Sequence, residues 1–151
     1  MAEKIGIRTA TVVIKEGKVL LVNSKYEDGE YYLFPGGGVE FGETIEEGAI
    51  RETLEETGVN VEIKKLLHAN EFIYKNDWDK RSVTIFFLAT PKEEFTENIS
   101  DDGGKIKQVE WMDISNLNNI DIRPKILADL LGNAGDDFNN ISLGHSVDFR
   151  D

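Results

Sequence analysis

The stretch from Gly37 to Val59 limits this chain more than any other. It holds seven acids, Glu40, Glu43, Glu46, Glu47, Glu52, Glu55 and Glu56, against one base, Arg51. Thr44 with Glu47 three residues on is a capping-box pattern, and Gly58 supplies a C-terminal stop. A helix is therefore predicted from Thr44 to about Thr57. At about 100° per residue, Glu52, Glu55 and Glu56 fall within one arc. Gly48 and Ala49 lie at the edges of that arc and leave room for a loop or ligand. Ile50, Thr53, Leu54 and Thr57 are expected to pack into the core. A solvated helix usually intersperses lysine among its glutamates, and this arc has none. Two readings follow: an ordinary hydrated face, or a face offset by bound cations. Three oxygen ligands on a rigid surface suit a hard ion such as Mg²⁺ or Mn²⁺. The preceding Gly36-Gly37-Gly38 reads either as a tight turn or as backbone free to take positive φ and approach a ligand or phosphate.

The remainder alternates strand and turn signals. Ile7–Ile14 and Val19–Val22 read as a hairpin across Glu16-Gly17, followed by a short aromatic strand, Tyr31–Phe34. Val59–Tyr74 reads as one long or broken strand, turning at Asn76–Asp79. Val83–Ala89 is apolar throughout and reads as a central strand, and Ile106–Met112 as a further one. Short helical stretches are expected from Ser115 and from Asp121, the second running through Arg123-Pro124 to about Leu131. Residues 132–151 read as a loose or docked tail, with Ile141, Leu143, Val147 and Phe149 as its docking groups. The expectation is one domain of α/β or α+β class over residues 1–131, with residues 132–151 as a tail of the same domain.

Composition excludes several chemistries. The chain has 151 residues, a net charge of −12 and no cysteine, which removes disulfides, thiolate catalysis and cysteine-ligated metals. His68 and His145 are its two histidines. The acidity argues against general nucleic-acid affinity, and no apolar run approaches the length of a membrane span. A cytoplasmic protein with a small-molecule partner is expected, with a homodimer as one possible assembly.

The spacing Gly37, five residues, Glu43, seven residues, Arg51-Glu52-Thr53-Leu54-Glu55-Glu56-Thr57-Gly58-Val59 resembles the signature of the Nudix hydrolase family, G-x5-E-x7-R-E-U-x-E-E-x-G-U, with U a bulky aliphatic residue. Thr53 at the first U is the one departure, and threonine has nearly valine's shape. The resemblance implies an α/β/α sandwich around a mixed sheet. It also implies Mg²⁺- or Mn²⁺-dependent hydrolysis of a nucleoside diphosphate linked to another group. By position, Glu52, Glu55 and Glu56 are then the metal-binding carboxylates, supported by Glu43 and the Gly37 carbonyl, and Arg51 orients a neighbouring glutamate. Glu52 is the first choice of general base, with Glu110 the leading alternative and Glu97, Asp101 and Asp102 behind it. A non-catalytic nucleotide sensor is the competing function, and such modules usually lose box carboxylates. Substrate recognition lies outside the signature. Phe72, Tyr74, Trp78, Tyr26, Tyr31 and Tyr32 are candidates for base stacking, and Arg8, Lys75 and Arg81 for phosphate. Neither the position of Tyr74 nor the prolines selects a substrate.

Overall fold

The computed structural model describes residues 5–26, 29–74, 81–92 and 107–150. Its elements in chain order are β1 (Gly6–Lys15), β2 (Lys18–Tyr26), β3 (Gly29–Leu33), β4 (Gly36–Gly38), α1 (Ile45–Thr57), β5 (Val61–Tyr74), β6 (Arg81–Pro91), β7 (Lys107–Asp113), a 3₁₀ turn (Ile114–Asn119), β8 (Ile122–Arg123), α2 (Lys125–Asn133), a 3₁₀ turn (Phe138–Asn140) and β9 (Gly144–Arg150).

The strands form a forked mixed sheet. One arm runs β4-β1-β6-β5-β9, with β1 and β6 parallel and β5 and β9 parallel. The other runs β7-β2-β3-β8. The fork sits on β1. Ile14 and Lys15 pair with β2 across the hairpin, while Arg8–Ala10 pair with the three glycines of β4. β4 thus takes the edge of β1 that β2 leaves open. It can do so because a Cβ on Gly36 would stand 2.3 Å from the Thr9 carbonyl oxygen. The glycine triplet is therefore an extended edge strand rather than a turn. None of its residues has positive φ, so glycine serves close approach here and not a left-handed backbone.

Adjacent residues of a strand point to opposite faces, and β1 shows two cores. Val12 packs in the larger core, with Leu21, Phe34, Phe86 and the α2 residues Leu127, Ala128 and Leu131. Val13 belongs to a smaller core with Leu20, Val59, Val61 and Ala89, against which Ile50 of α1 packs. The sheet is thus covered by α1 on one side and α2 on the other, the layered α+β arrangement expected.

Three local expectations are corrected. The stretch from Asp121 is not helical through Arg123: Ile122–Arg123 pairs in parallel with Tyr32–Leu33, and α2 starts at Lys125. A residue before proline is pushed towards extended backbone, which ends β8 at Arg123 and delays the helix. The tail contributes β9, but of its expected docking groups Ile141 alone is buried; Leu143, Val147 and Phe149 are exposed. Its inward side chains are polar, Ser146 bonding His68 and Asp148 bonding Asn70. Leu54, expected in the core, is 47% exposed. Gly48, Ala49, Thr53 and Thr57 form the buried side of α1 instead.

Candidate active site

The helix carrying the acids has the termini expected. Thr44 Oγ1 accepts from the Glu47 amide at 3.1 Å, and Glu47 Oε1 accepts from the Thr44 amide at 3.2 Å. Gly58 closes the other end at φ 75°, its N–H bonding the Leu54 carbonyl. The helix lies close against β1. Thr9 Oγ1 donates to the Ile45 carbonyl at 3.0 Å. Thr53 Oγ1 donates to the Ala49 carbonyl at 2.7 Å and shares a 2.6 Å hydroxyl contact with Thr11. The departure of Thr53 from an aliphatic residue is thus accommodated: its buried hydroxyl faces a partner hydroxyl on the strand.

The approach at Gly48 is also close. A Cβ there would stand 2.9 Å from Glu43 Oε1 and 3.2 Å from Thr9 Cγ2. The small residues expected to admit a loop do so, and Glu43 is the group admitted.

Arg51 organises the acids. Its Nε and Nη2 donate to the two Glu43 oxygens at 3.0 and 2.7 Å, a bidentate pair. Nη1 donates to Glu52 at 3.0 Å and to Glu55 at 3.3 Å, and Nη2 also reaches the Gly38 carbonyl at 3.1 Å. Glu40 lies 3.7 Å away. The Arg51 guanidinium, and after it the Glu40 amide, hold the Glu43 carboxyl down at about 2. In return the bond to Glu43 pushes the Arg51 pKa above its ordinary value. One guanidinium thus serves four carboxylates, and the cluster keeps a net negative charge.

Glu52 stands against β4. A Cβ on Gly37 would come within 2.4 Å of Glu52 Cδ and 2.6 Å of each of its oxygens. Gly37 therefore leaves the space that the Glu52 carboxylate occupies. Among the described residues no three His, Asp or Glu side chains already converge on a common point, and Arg51 lies between the acids. The donor set is nonetheless all oxygen, which fits a hard divalent cation.

Beside Gly37 a cavity of about 140 Å³ opens between the two arms of the sheet. Glu56 reaches it from α1, and Arg8, Phe72 and Phe86 from the first arm; Leu33, Arg123 and Pro124 close the other side. Of the residues expected at the substrate, Arg8 and Phe72 line it. Tyr74 and Arg81 do not: Tyr74 is exposed beside β9, and Arg81 donates to Glu71 at 3.1 Å. Tyr31 lies under the Arg123 guanidinium, 4.0 Å from ring centre to Cζ. Tyr32 is in the larger core, where burial first, and then Glu110 among its neighbours, raises its pKa. Glu110 stands opposite Leu21 on β7, against Tyr32 and outside the cavity lining. Lys75, Trp78, Glu97, Asp101, Asp102 and the Tyr26 side chain lie outside the described residues. Sequence reasoning missed Arg123. Its signal was the Arg-Pro pair, which ends a strand at the cavity instead of continuing a helix.

The NUDIX domain family model matches residues 6–130, and the chain belongs to the Nudix family. It is similar to an ADP-ribose pyrophosphatase from Methanocaldococcus jannaschii, 34% identical over 70% of this chain and 60% of that protein. It is also similar to a nucleoside diphosphate-linked moiety X motif 6 protein from Xenopus laevis, 31% identical over 76% of this chain and 52% of the relative. The chain thus spans between half and three fifths of the length of these relatives. Among solved structures, a mutator MutT protein from Bacillus halodurans superposes with a TM-score of 0.74 at 21% identity, covering 96% of this chain and 90% of that one. A NUDIX hydrolase from Nitrosomonas europaea gives 0.71 at 22% identity, covering 87% and 90%. At these identities the structural likeness establishes the fold. Nudix hydrolases generally use divalent metal ions.

Proposed function

We propose that this chain is a divalent-metal-dependent pyrophosphohydrolase, cleaving a nucleoside diphosphate linked to another group. The observation that carries the reading is the Glu52 carboxylate seated in the space left by Gly37, with the Arg51-bound acids on one side and the cavity on the other. Gly37, Glu43, Glu52, Glu55 and Glu56 offer the oxygens that would hold the cation, Mg²⁺ or Mn²⁺. When bound there, the ion supplies charge neutralisation for the pyrophosphate and a lowered pKa for an attacking water.

The remaining roles fall to the chain itself. Arg51 positions Glu43 and Glu52 through its fork of hydrogen bonds. Arg8 and Arg123 bring positive charge to the cavity for the phosphates, and Phe72 and Phe86 give it an apolar wall for the base. Glu52 accepts the proton of the attacking water, whose oxygen adds to phosphorus in line with the departing phosphate. Glu52 is preferred to Glu110 as base because its carboxylate stands against Gly37, which lines the cavity, whereas Glu110 lies against Tyr32. ADP-ribose is the first substrate to assay, since the chain is similar to an ADP-ribose pyrophosphatase. The activity belongs to a single domain over residues 1–131, to which residues 132–151 add the last strand.

The test is a panel of ADP-ribose, nucleotide sugars, dinucleoside polyphosphates and nucleoside triphosphates with Mg²⁺, Mn²⁺ or EDTA. Glu52→Gln, Glu55→Gln and Glu56→Gln should each lose about 10²-fold or more in kcat/KM, while the outward-facing Glu46→Gln keeps full activity. Metal-independent turnover, or a fully active Glu56→Gln protein, would overturn the assignment. Binding without cleavage would mark a sensor instead.

A further inference from the structure

The contact between β5 and β9 is polar where aliphatic residues would serve packing better. His68, Asn70 and Phe72 stand opposite Gly144, Ser146 and Asp148 in the parallel register, so all six lie on one face of the sheet. Phe72 and Thr84 of that face line the cavity beside the acids.

The hydrogen bonds along this face have one direction. Ser146 Oγ donates to Asn70 Oδ1, and Asn70 Nδ2 donates to Asp148 Oδ2 at 3.4 Å. The serine proton is thereby engaged, so at the 2.7 Å contact with His68 the hydroxyl accepts from Nε2–H. His68 Nδ1 is left buried without a partner. A buried polar chain with an orphan at one end is costly to keep for packing alone. Its other end is the Asp148 carboxylate, anchored through Oδ2. Among the described residues no ion pair joins Asp148 to Arg123 or Lys125, and Arg123 binds Asp121 at 3.2 Å and lies on Tyr31. Asp148 instead borders a second hollow of about 440 Å³ with Asn118, Lys125 and Arg123. Arg123 is common to this hollow and the first cavity.

We infer that Asp148 determines specificity for the sugar of the substrate, its Oδ1 accepting a hydrogen bond from a ribose hydroxyl. The inference rests on the pyrophosphohydrolase reading and narrows it to ribonucleoside diphosphates. A carboxylate that pairs with no cation among the described residues is a suitable acceptor for a ribose hydroxyl, as in dinucleotide-binding folds. Asn70 acts as its positioning residue, and Ser146 and His68 hold Asn70 in turn.

The experiment compares kcat and KM of the wild type, Asp148→Asn and Asp148→Ala on an adenosine diphosphate-linked substrate and on its 2′-deoxy and 3′-deoxy counterparts. Calorimetric binding of the three nucleotides is measured in parallel. The wild type should prefer the ribonucleotide by about ten- to a hundredfold, the range of a hydrogen bond to a charged group. Asp148→Ala should lose most of that preference through KM, with kcat within about threefold. Asp148→Asn is nearly isosteric, keeps an acceptor for Asn70 and carries the comparison if the alanine variant misfolds. A purely structural role would lower melting temperature and all three activities together, leaving the ratio unchanged. Cleavage with an unaltered ratio in both variants overturns this inference alone. Failure of the wild type to bind or cleave any of the three overturns the functional reading with it.

Discussion

Adding a methyl group at Gly37 should separate chemistry from folding. A Cβ at this position would stand 2.4 Å from Glu52 Cδ and 2.6 Å from both carboxylate oxygens. Ordinary contact begins near 3.4 Å, so the carboxylate must retreat by about 1 Å, a misplacement that typically costs about 10²-fold in rate. The retreating group is the far end of a flexible side chain, so the fold need not move. A stability change within about 0.5 kcal/mol keeps the melting temperature of a chain this long within about 2 °C. Two neighbours serve as controls. Gly38→Ala meets no atom within 4 Å and should be silent. Gly36→Ala meets the Thr9 carbonyl oxygen at 2.3 Å and Ala10 Cβ at 2.7 Å. Backbone cannot step aside there, and overpacking of this kind costs about 1–3 kcal/mol. The assay is kcat/KM on the best panel substrate with saturating divalent ion, alongside melting curves. A Gly37→Ala protein retaining more than half of wild-type kcat/KM would refute the claim that Glu52 works from the space beside that glycine. So would one that lost activity only because it unfolded.

Two further outcomes follow from buried polar contacts. Thr53→Val leaves Thr11 Oγ1 facing a methyl group in the core and should cost about 1–3 kcal/mol, whereas Thr11→Val leaves Thr53 bonded to the Ala49 carbonyl and should cost less. In denaturant titrations the double valine variant should recover part of the Thr53→Val loss, and strict additivity would show that the hydroxyls are not coupled. Burial first, and then His145, hold the His68 pKa below its ordinary value of 6.5. Well above pH 6.5 this site is neutral in both folded and unfolded chains. Below it the unfolded chain protonates first, so stability falls with pH until the folded value is passed. His68→Gln should flatten the melting profile between pH 7 and 5, and an unchanged slope would place the acid sensitivity elsewhere.

Much of the fold was legible because its signals are local. Thr44, Glu47 and Gly58 satisfy backbone groups within one turn of themselves, so both ends of α1 could be read directly. Strand positions followed from composition in the same way. The register of β9 against β5 could not be read, because backbone pairing and the polar contacts of Ser146 and Asp148 place that strand, whereas apolar pattern pointed to Leu143, Val147 and Phe149. Arg123 was hidden for a related reason. Its place at the cavity depends on Leu33 as a parallel partner some ninety residues earlier in the chain.

The exposure of Leu54 and the position of the acids on α1 have one cause. Amphipathic reasoning sends Leu54 inward and the acids outward. The surface beneath this helix, however, is the Thr9 and Thr11 side of β1, and the helix comes close enough for Thr9 to bond the Ile45 carbonyl and for Thr53 to touch Thr11. At that separation Gly48, Ala49, Thr53 and Thr57 fit the contact, and Leu54 is left outside. Glu52 and Glu56 fall in the same angular sector as these small residues. Rotating the small residues inward therefore brings Glu52 onto Gly37 and Glu56 to the cavity wall. Glu55, at the sector's edge, remains exposed but within reach of Arg51. The acid face is not opposite the packing face. It forms the margin of the packing face that extends past β1 to β4, which is why Glu52 stands against β4 and Glu56 lines the cavity while Glu55 stays at the solvent edge.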